Sequence, residues 1–270
     1  NNEGTINAVK ILEKRKNIIV PPEEGQLASL HEGKGRFADI NNIMNNIRKL
    51  FNENLILENK KILITAGPTR EPIDPVRFIT NHSSGKMGYA LAKASKEYGS
   101  KVTLISGPVS IPIVPGVKII DITTAEEMNN KIEDELTNNT FDYIFMAAAV
   151  ADYKPIEFSD KKIKSNDKTQ DLKLEKSVDI MADTISKHRG IKIAFALETE
   201  NGQANAINKM KAKKSDYIVL NYANESGAGF NEDTNHVYIF SKNGSNKEFR
   251  KNTKLRIAKK ILEYIVNNEK

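Results

Sequence analysis

The sequence predicts an α/β protein: a Rossmann-like, doubly wound, mostly parallel sheet with a C-terminal β-hairpin and helix. Three observations carry the prediction. From residue 60 onward, short β-branched runs alternate with amphipathic helical stretches, the pattern of strands joined by crossover helices. The runs are apolar throughout rather than at every second position, as strands buried on both faces are. Near the end, Asn243-Gly244 stands between two strand-like runs, and this dipeptide favours a tight hairpin.

Taken in order, residues 1–55 read as a short helix, a strand and a second helix, with a glycine-containing loop between. In that second helix Asp39 can cap, and Ile40, Ile43, Ile47, Leu50 and Phe51 recur at helical spacing. One such stripe cannot make a core alone, so this segment must pack on something else. Residues 56–270 form the main domain. Its strands are expected at Lys61 to Thr65, Lys101 to Ile105, Val117 to Ile120, Tyr143 to Met146, Ile191 to Phe195 and Tyr217 to Leu220. Helices are expected around Met87 to Tyr98, Ala125 to Leu136, Ile180 to Ile185 and Ala204 to Lys213. The hairpin pairs Val237 to Phe240 with Glu248 to Arg250, and a last helix buries Leu255, Ala258, Ile261, Leu262 and Ile265.

Composition narrows the function classes. The 270 residues carry 41 basic and 35 acidic side chains, a formal charge of +6 that fits a polyphosphate site or a weak affinity for nucleic acid. There is no cysteine, which excludes disulfides, thiolate metal sites and a cysteine nucleophile. Apolar runs such as Ile144 to Ala151 fall far short of the roughly 20 residues of a membrane span, so no membrane partner is expected. The chain opens at Asn1 without a Met or a secretion signal. It therefore reads as a piece of a longer protein, expected in the cytoplasm.

In an open parallel sheet the ligand sits beyond the carboxyl ends of the strands, where two connections are long. The first runs from Ala66 to about Gly85 and leads through Asn81-His82-Ser83-Ser84-Gly85-Lys86-Met87-Gly88 into a helix. Free N–H groups and the positive dipole end of such a helix suit an anion, and Asn81 and His82 could add hydrogen bonds. It is not a P-loop, because no glycine stands five positions before Gly85 and Met87 occupies the hydroxyl position. The dinucleotide fingerprint is also incomplete. Two uses stay open: an anion site, or caps at Ser83 and Ser84 with Gly85 and Gly88 packing on the sheet.

The second connection runs from Ala147 to about Lys176. Small residues at Ala147 to Ala151 would let a flat ring approach the backbone, with Asp152 reading a base or ribose; a tightly packed strand end is the plainer use. Asp160 to Lys168 then places four lysines in nine residues, read as a mobile flap whose charges could close on a polyphosphate. A solvated loop is the alternative.

The string Ala66 to Gly88 resembles the signature of phosphopantothenoylcysteine synthetase, the phosphopantothenate-cysteine ligase family. Ala148 to Tyr153 with Lys162-Ile163-Lys164, Phe195 to Thr199, and Gly229-Phe230-Asn231 with Asp233 and Asn235 agree with it. The resemblance implies that CTP, with Mg²⁺, activates 4′-phosphopantothenate as an acyl-cytidylate that L-cysteine then attacks, a step of coenzyme A biosynthesis. It implies that Asn81 holds the acyl-cytidylate and Lys162 promotes its formation. Ala148, Ala149, Asp152, Phe195, Lys209 and Lys213 would line the nucleotide site. Gly67, Ser83, Ser84, Gly85 and Lys86 would take the substrate or phosphate. A homodimer through this domain is implied, and no ligands are assigned to the metal.

Residues 1–55 resemble the end of the decarboxylase often fused ahead of that synthetase, with Ser29 where its proton-donating cysteine stands. No flavin and no decarboxylase activity are therefore expected. Two rival classes remain: a nicotinamide oxidoreductase, disfavoured by the missing fingerprint, and a nucleic-acid binder. The second is disfavoured because the flap lysines alternate with Asp160 and Asp167, and no aromatic lies between Phe158 and Lys176.

Overall fold

The computed structural model describes residues 2–26, 32–50, 55–164, 171–225, 227, 229 and 231–269. The chain divides into two compact units, Asn1–Asn54 and Leu55–Lys270. The first holds helix α1 (Glu3–Lys14), strands β1 (Glu23–Gln26) and β2 (Glu32–Arg36) paired antiparallel, and helix α2 (Ile40–Leu50). Two strands thus stand where one was expected. Asn2 caps α1 through its side chain, which accepts from the Gly4 N–H at 2.8 Å. Phe51 and Ser29 lie outside the described residues.

The second unit is built on one eight-stranded sheet. Its strands are β3 (Lys61–Ala66), β6 (Lys101–Ser106), β7 (Lys118–Asp121), β8 (Tyr143–Met146), β11 (Ile191–Glu198), β12 (Tyr217–Tyr222), β13 (Thr234–Ser241) and β14 (Asn246–Thr253). The spatial order is β14-β13-β12-β11-β8-β3-β6-β7. From β12 to β7 every pairing is parallel, while β12–β13 and β13–β14 are antiparallel, so the fold is the doubly wound α/β sheet with terminal hairpin that the pattern predicts. Gly244 makes the hairpin turn at φ +89°.

Helices cover both faces. On one, α3 (Lys86–Glu97) and α7 (Lys254–Asn268) enclose Ile62, Ile64, Leu104, Phe145 and Val219. On the other, α4 (Ala125–Asn138), α5 (Ile180–Asp183) and α6 (Gly202–Ala212) cover Leu63, Ile105, Ile144, Ala194 and Ile218. Alternate residues of one strand, Ile62 and Ile64 against Leu63, thus enter opposite cores, which is why the runs are apolar throughout. A capping box starts α4: Thr124 accepts from Glu127 N–H at 3.1 Å while Glu127 reaches back to Thr123 and Thr124.

The two long connections are not bare loops. The first carries a ribbon of β4 (Arg70–Pro72) and β5 (Phe78–Thr80), the second a ribbon of β9 (Tyr153–Pro155) and β10 (Leu174–Lys176). Among the described residues no helix is long and apolar enough to cross a membrane.

Candidate functional site

The chain moves outward from β3 to β6 and β7, then returns to place β8 on the other side of β3. The switch point of the sheet therefore lies between β3 and β8, where a doubly wound sheet opens its ligand crevice. The loops leaving these two strands are laced together beyond it. Ala149 N–H donates to the Gly67 carbonyl at 2.9 Å, and the Ala149 carbonyl accepts from Thr69 N–H at 3.3 Å and from the Asn81 side-chain amide at 2.9 Å. Two fully buried hydroxyls complete the lacing: Thr65 Oγ1 accepts from Ala148 N–H at 3.2 Å and Thr69 Oγ1 from Ala151 N–H at 3.0 Å. Neither threonine stands out in the sequence, because nothing local marks them as joining segments some 80 residues apart.

Above this lacing α3 begins. Gly85 is its N-cap in the left-handed region, φ +76°, and no side chain caps the helix. Ser83 Oγ accepts from Gly85 N–H at 3.3 Å, before the helix rather than within it. The first-turn N–H groups of α3 are thus left to the ligand side, which favours the anion reading over the capping one. Ser84 is half-buried and His82 exposed. Lys86 donates at 2.7 Å to both the Asn231 carbonyl and Asp233, and this ammonium draws the Asp233 carboxyl below its usual pKa.

The remaining sequence-predicted residues lie along the ends of β8 and β11. Asp152 is exposed. Lys209, on α6, donates to the carbonyl of half-buried Phe195 at 3.1 Å. The residue is exposed overall, yet desolvation of its ammonium lowers the pKa against the pull of Glu198 and Asp152. Lys213 is paired with Asp179.

Lys162 is exposed and has no ion-pair partner among the described residues. Its neighbourhood differs from the free flap expected. Ile163 is held at both backbone groups, its N–H donating to Asp74 at 3.1 Å and its carbonyl accepting from Arg77 at 2.9 Å, and Ser159 N–H donates to the Ile73 carbonyl at 3.1 Å. The Asp74-Pro75 turn signal was available in the sequence, but its long-range use was not. Lys168 lies outside the described residues, as does Phe230.

The fold is a doubly wound α/β sheet whose switch point lies between β3 and β8, with the uncapped start of α3 following the loop that leaves β3. The comparisons place it further. The chain belongs to the family described as the DNA/pantothenate metabolism flavoprotein C-terminal domain, whose model matches residues 57–268. It is 39% identical over 95% of its length to a cysteine/cysteine sulfinic acid decarboxylase from an unknown prokaryotic organism, spanning 73% of that protein. It is 40% identical over 95% of its length to the coenzyme A biosynthesis bifunctional protein CoaBC of Bacillus subtilis, spanning 64% of it. The crystal structure of the C-terminal domain of a CoaBC protein superposes with a TM-score of 0.66 at 36% identity, covering 78% of this chain and 96% of that one.

These findings correct the functional part of the resemblance. The names they carry are those of a flavoprotein family, a decarboxylase and a bifunctional coenzyme A biosynthesis protein, and none names a ligase. The synthetase assignment, with its CTP, Mg²⁺ and acyl-cytidylate, is therefore withdrawn. The expectations that flavin and decarboxylase activity are absent are withdrawn with it, because of the flavoprotein description and the relative named a decarboxylase. The physical reason lies in what the motifs encode. They describe an anion-receptive strand edge, and such an edge does not fix which reaction it serves.

A flavoprotein family implies a flavin, and the edge can be tested for one. The open start of α3 suits the phosphate of a flavin nucleotide as it suits other phosphates. The ring would need free backbone donors, and the N–H groups of Ala148, Ala149 and Ala151 are already used within the protein. These residues fit the phosphate of a flavin nucleotide and not its ring. Among the described residues no group of three or more His, Asp or Glu side chains converges to hold a metal ion.

Proposed function

We propose that the edge between β3 and β8 binds a phosphorylated pantothenate derivative, 4′-phosphopantothenate or its cysteine conjugate, as one domain of a coenzyme A biosynthesis protein. The observation that carries the reading is the uncapped start of α3, opened by left-handed Gly85 four residues after Asn81. The phosphate would lie on the first-turn N–H groups with Ser83 and Ser84, since Lys86 is already paired with Asp233. Asn81 would face the pantothenoyl part and Lys162 would supply a second cation. Asp152, Phe195, Lys209 and Lys213 would line the neighbouring strand ends. The names of the relatives support the coenzyme A setting, and with it a cytoplasmic location.

A homodimer belongs to the same proposal. Val76 and Phe78 in the first long connection and Tyr153, Ile156 and Phe158 in the second are exposed apolar side chains that a second copy could cover. Nucleic acid and membrane are not among the proposed partners.

Titration calorimetry with 4′-phosphopantothenate, its cysteine conjugate and unphosphorylated pantothenate tests the reading. The phosphorylated compounds should bind at least roughly tenfold tighter, the scale of one charge-assisted hydrogen bond. Equal affinity for pantothenate, or no binding of either phosphorylated compound by folded protein, refutes it.

A further inference from the structure

We infer that the buried Asp74 is a positioning residue, clasping the lysine-bearing stretch 161–164 onto the turn between β4 and β5. The inference rests on the reading above for its consequence, that Lys162 serves the phosphate site, but not for its geometry.

Asp74 sits at the tip of the β4–β5 ribbon and is 2% exposed. Its Oδ1 accepts from the N–H groups of Val76 and Arg77 at 2.8 and 2.9 Å, which closes the turn on itself. Its Oδ2 accepts from Arg77 Nε at 3.0 Å and Nη2 at 2.5 Å, and also from Ile163 N–H at 3.1 Å. Arg77 Nη2 in turn donates to the Ile163 carbonyl at 2.9 Å. One carboxylate and one guanidinium thus satisfy both backbone groups of a single residue 89 positions away in the chain.

A turn needs only the local contacts to Val76 and Arg77. The contacts to Ile163 do nothing for the turn, and they fix the backbone next to Lys162. Two further bonds work in the same direction: Ser159 N–H to the Ile73 carbonyl at 3.1 Å, and Ser159 Oγ to the Lys161 carbonyl at 2.7 Å. The Arg77 guanidinium holds the Asp74 carboxyl far below the ordinary carboxylate range, against burial, so the clasp stays ionised at any physiological pH. Without it, Lys161, Lys162 and Lys164, all exposed, would hang on backbone with little apolar anchorage.

Limited trypsin digestion of the full chain, with cleavage sites mapped by mass spectrometry, tests the clasp without any ligand. Asp74→Asn removes the charge. Ile163→Pro removes the donor and leaves the Asp74–Arg77 pair intact, so it decides the matter if Asp74→Asn fails to fold. Each variant should be cut after Lys161 and Lys164 about tenfold faster than the wild type, the loss of one charge-assisted hydrogen bond, with cleavage elsewhere unchanged. Unchanged rates at these two sites overturn the inference.

The link to function is read from a double-mutant cycle in 4′-phosphopantothenate affinity. Asp74→Asn should raise the dissociation constant several-fold in the wild type and not at all in Lys162→Gln. An equal effect in both backgrounds means that Asp74 does not act through Lys162. If the wild type binds no 4′-phosphopantothenate, the functional reading falls, and the digestion still decides the clasp.

Discussion

Gly85→Ala should show how tightly the start of α3 is fixed over the strand ends. Gly85 has φ +76°, which costs an L-residue about 1–2 kcal/mol. A Cβ there would stand 2.7 Å from Val109 Cγ1 and 3.3 Å from the Gly67 Cα and N. Valine is stiff about χ1 and the other neighbours are backbone, so relief needs a backbone shift; overpacking of this kind costs about 1–3 kcal/mol. The sum is a loss of roughly 2–5 kcal/mol. Gly244→Ala is the matched control, with φ +89° and nothing within 4 Å of the added carbon, so it should lose only the backbone part. Urea unfolding of both variants gives the difference, about 1–3 kcal/mol. Adding Val109→Ala to Gly85→Ala should recover part of the loss, and phosphate-ligand affinity should fall in Gly85→Ala but not in Gly244→Ala. Equal losses in the two glycine variants, or no relief from Val109→Ala, would refute the crowding argument.

Gly88→Ala places a carbon 2.5 Å from Ala66 Cβ, so it should destabilise although alanine favours a helix by about 1 kcal/mol over glycine; Ala66→Gly should relieve part of the loss, the contacts with Ala66 Cα at 3.0 Å and the Thr65 carbonyl at 3.1 Å remaining, as read by chemical denaturation. Thr124→Ala should cost about 1 kcal/mol in the same assay, by opening the capping box of α4. Lys254, 7% exposed, has its pKa pushed down to about 8 from 10.5, chiefly by burial and also by Lys86. The unfolded chain therefore binds more protons between those values, so this lysine makes stability rise with pH across that window. Lys254→Met should remove that rise in urea midpoints measured from pH 7.5 to 10.5, and an unchanged slope would count against the shift. Burial pushes the Asp142 pKa up, but hydrogen bonds from Lys61 N–H and Lys60 Nζ outweigh it and the net shift is downward. Its contribution is present above the ordinary aspartate pKa and is lost as pH falls through the lowered one, so Asp142→Asn should flatten the acid limb of the stability curve.

What was legible in the sequence is what local pattern controls. The six parallel strands follow from apolar runs, because burial on both faces writes itself directly into residue choice, and the hairpin follows from Asn243-Gly244. The expected helix from Ile180 to Ile185 is cut short. It ends at Asp183 and a 3-10 turn follows over Ile185–Lys187, with Thr184 Oγ1 donating to Asn129 Oδ1 at 2.7 Å and Ser186 Oγ to the Ala182 carbonyl at 2.6 Å. Short polar side chains of this kind compete with helix continuation, and the competition depends on Asn129, some 55 positions away. The ribbons in the two long connections escaped notice for a similar reason. Three-residue strands have too few positions to show a period, and the turn of the first ribbon is closed by the Asp74 side chain rather than marked by hydrophobic alternation.

The same distinction explains why the site was half legible. The uncapped, left-handed start of α3 at Gly85 is a property of a few adjacent residues, so Ser83, Ser84 and Gly85 could be singled out as a candidate from the sequence. Thr65, Thr69 and Asp74 do not announce themselves, because each acts on backbone supplied by a distant strand or loop. Residues that contact a ligand can therefore be read from a motif, whereas residues that hold two motifs in register need the fold. The identity of the reaction needs more again. An edge with an uncapped helix start and an exposed lysine at Lys162 is chemically compatible with several phosphate-bearing substrates, and the resemblance converts such an edge into one named ligation. Affinity for 4′-phosphopantothenate and its conjugate addresses what the edge recognises, the quantity its geometry constrains, before any assay presumes what it does with the bound molecule.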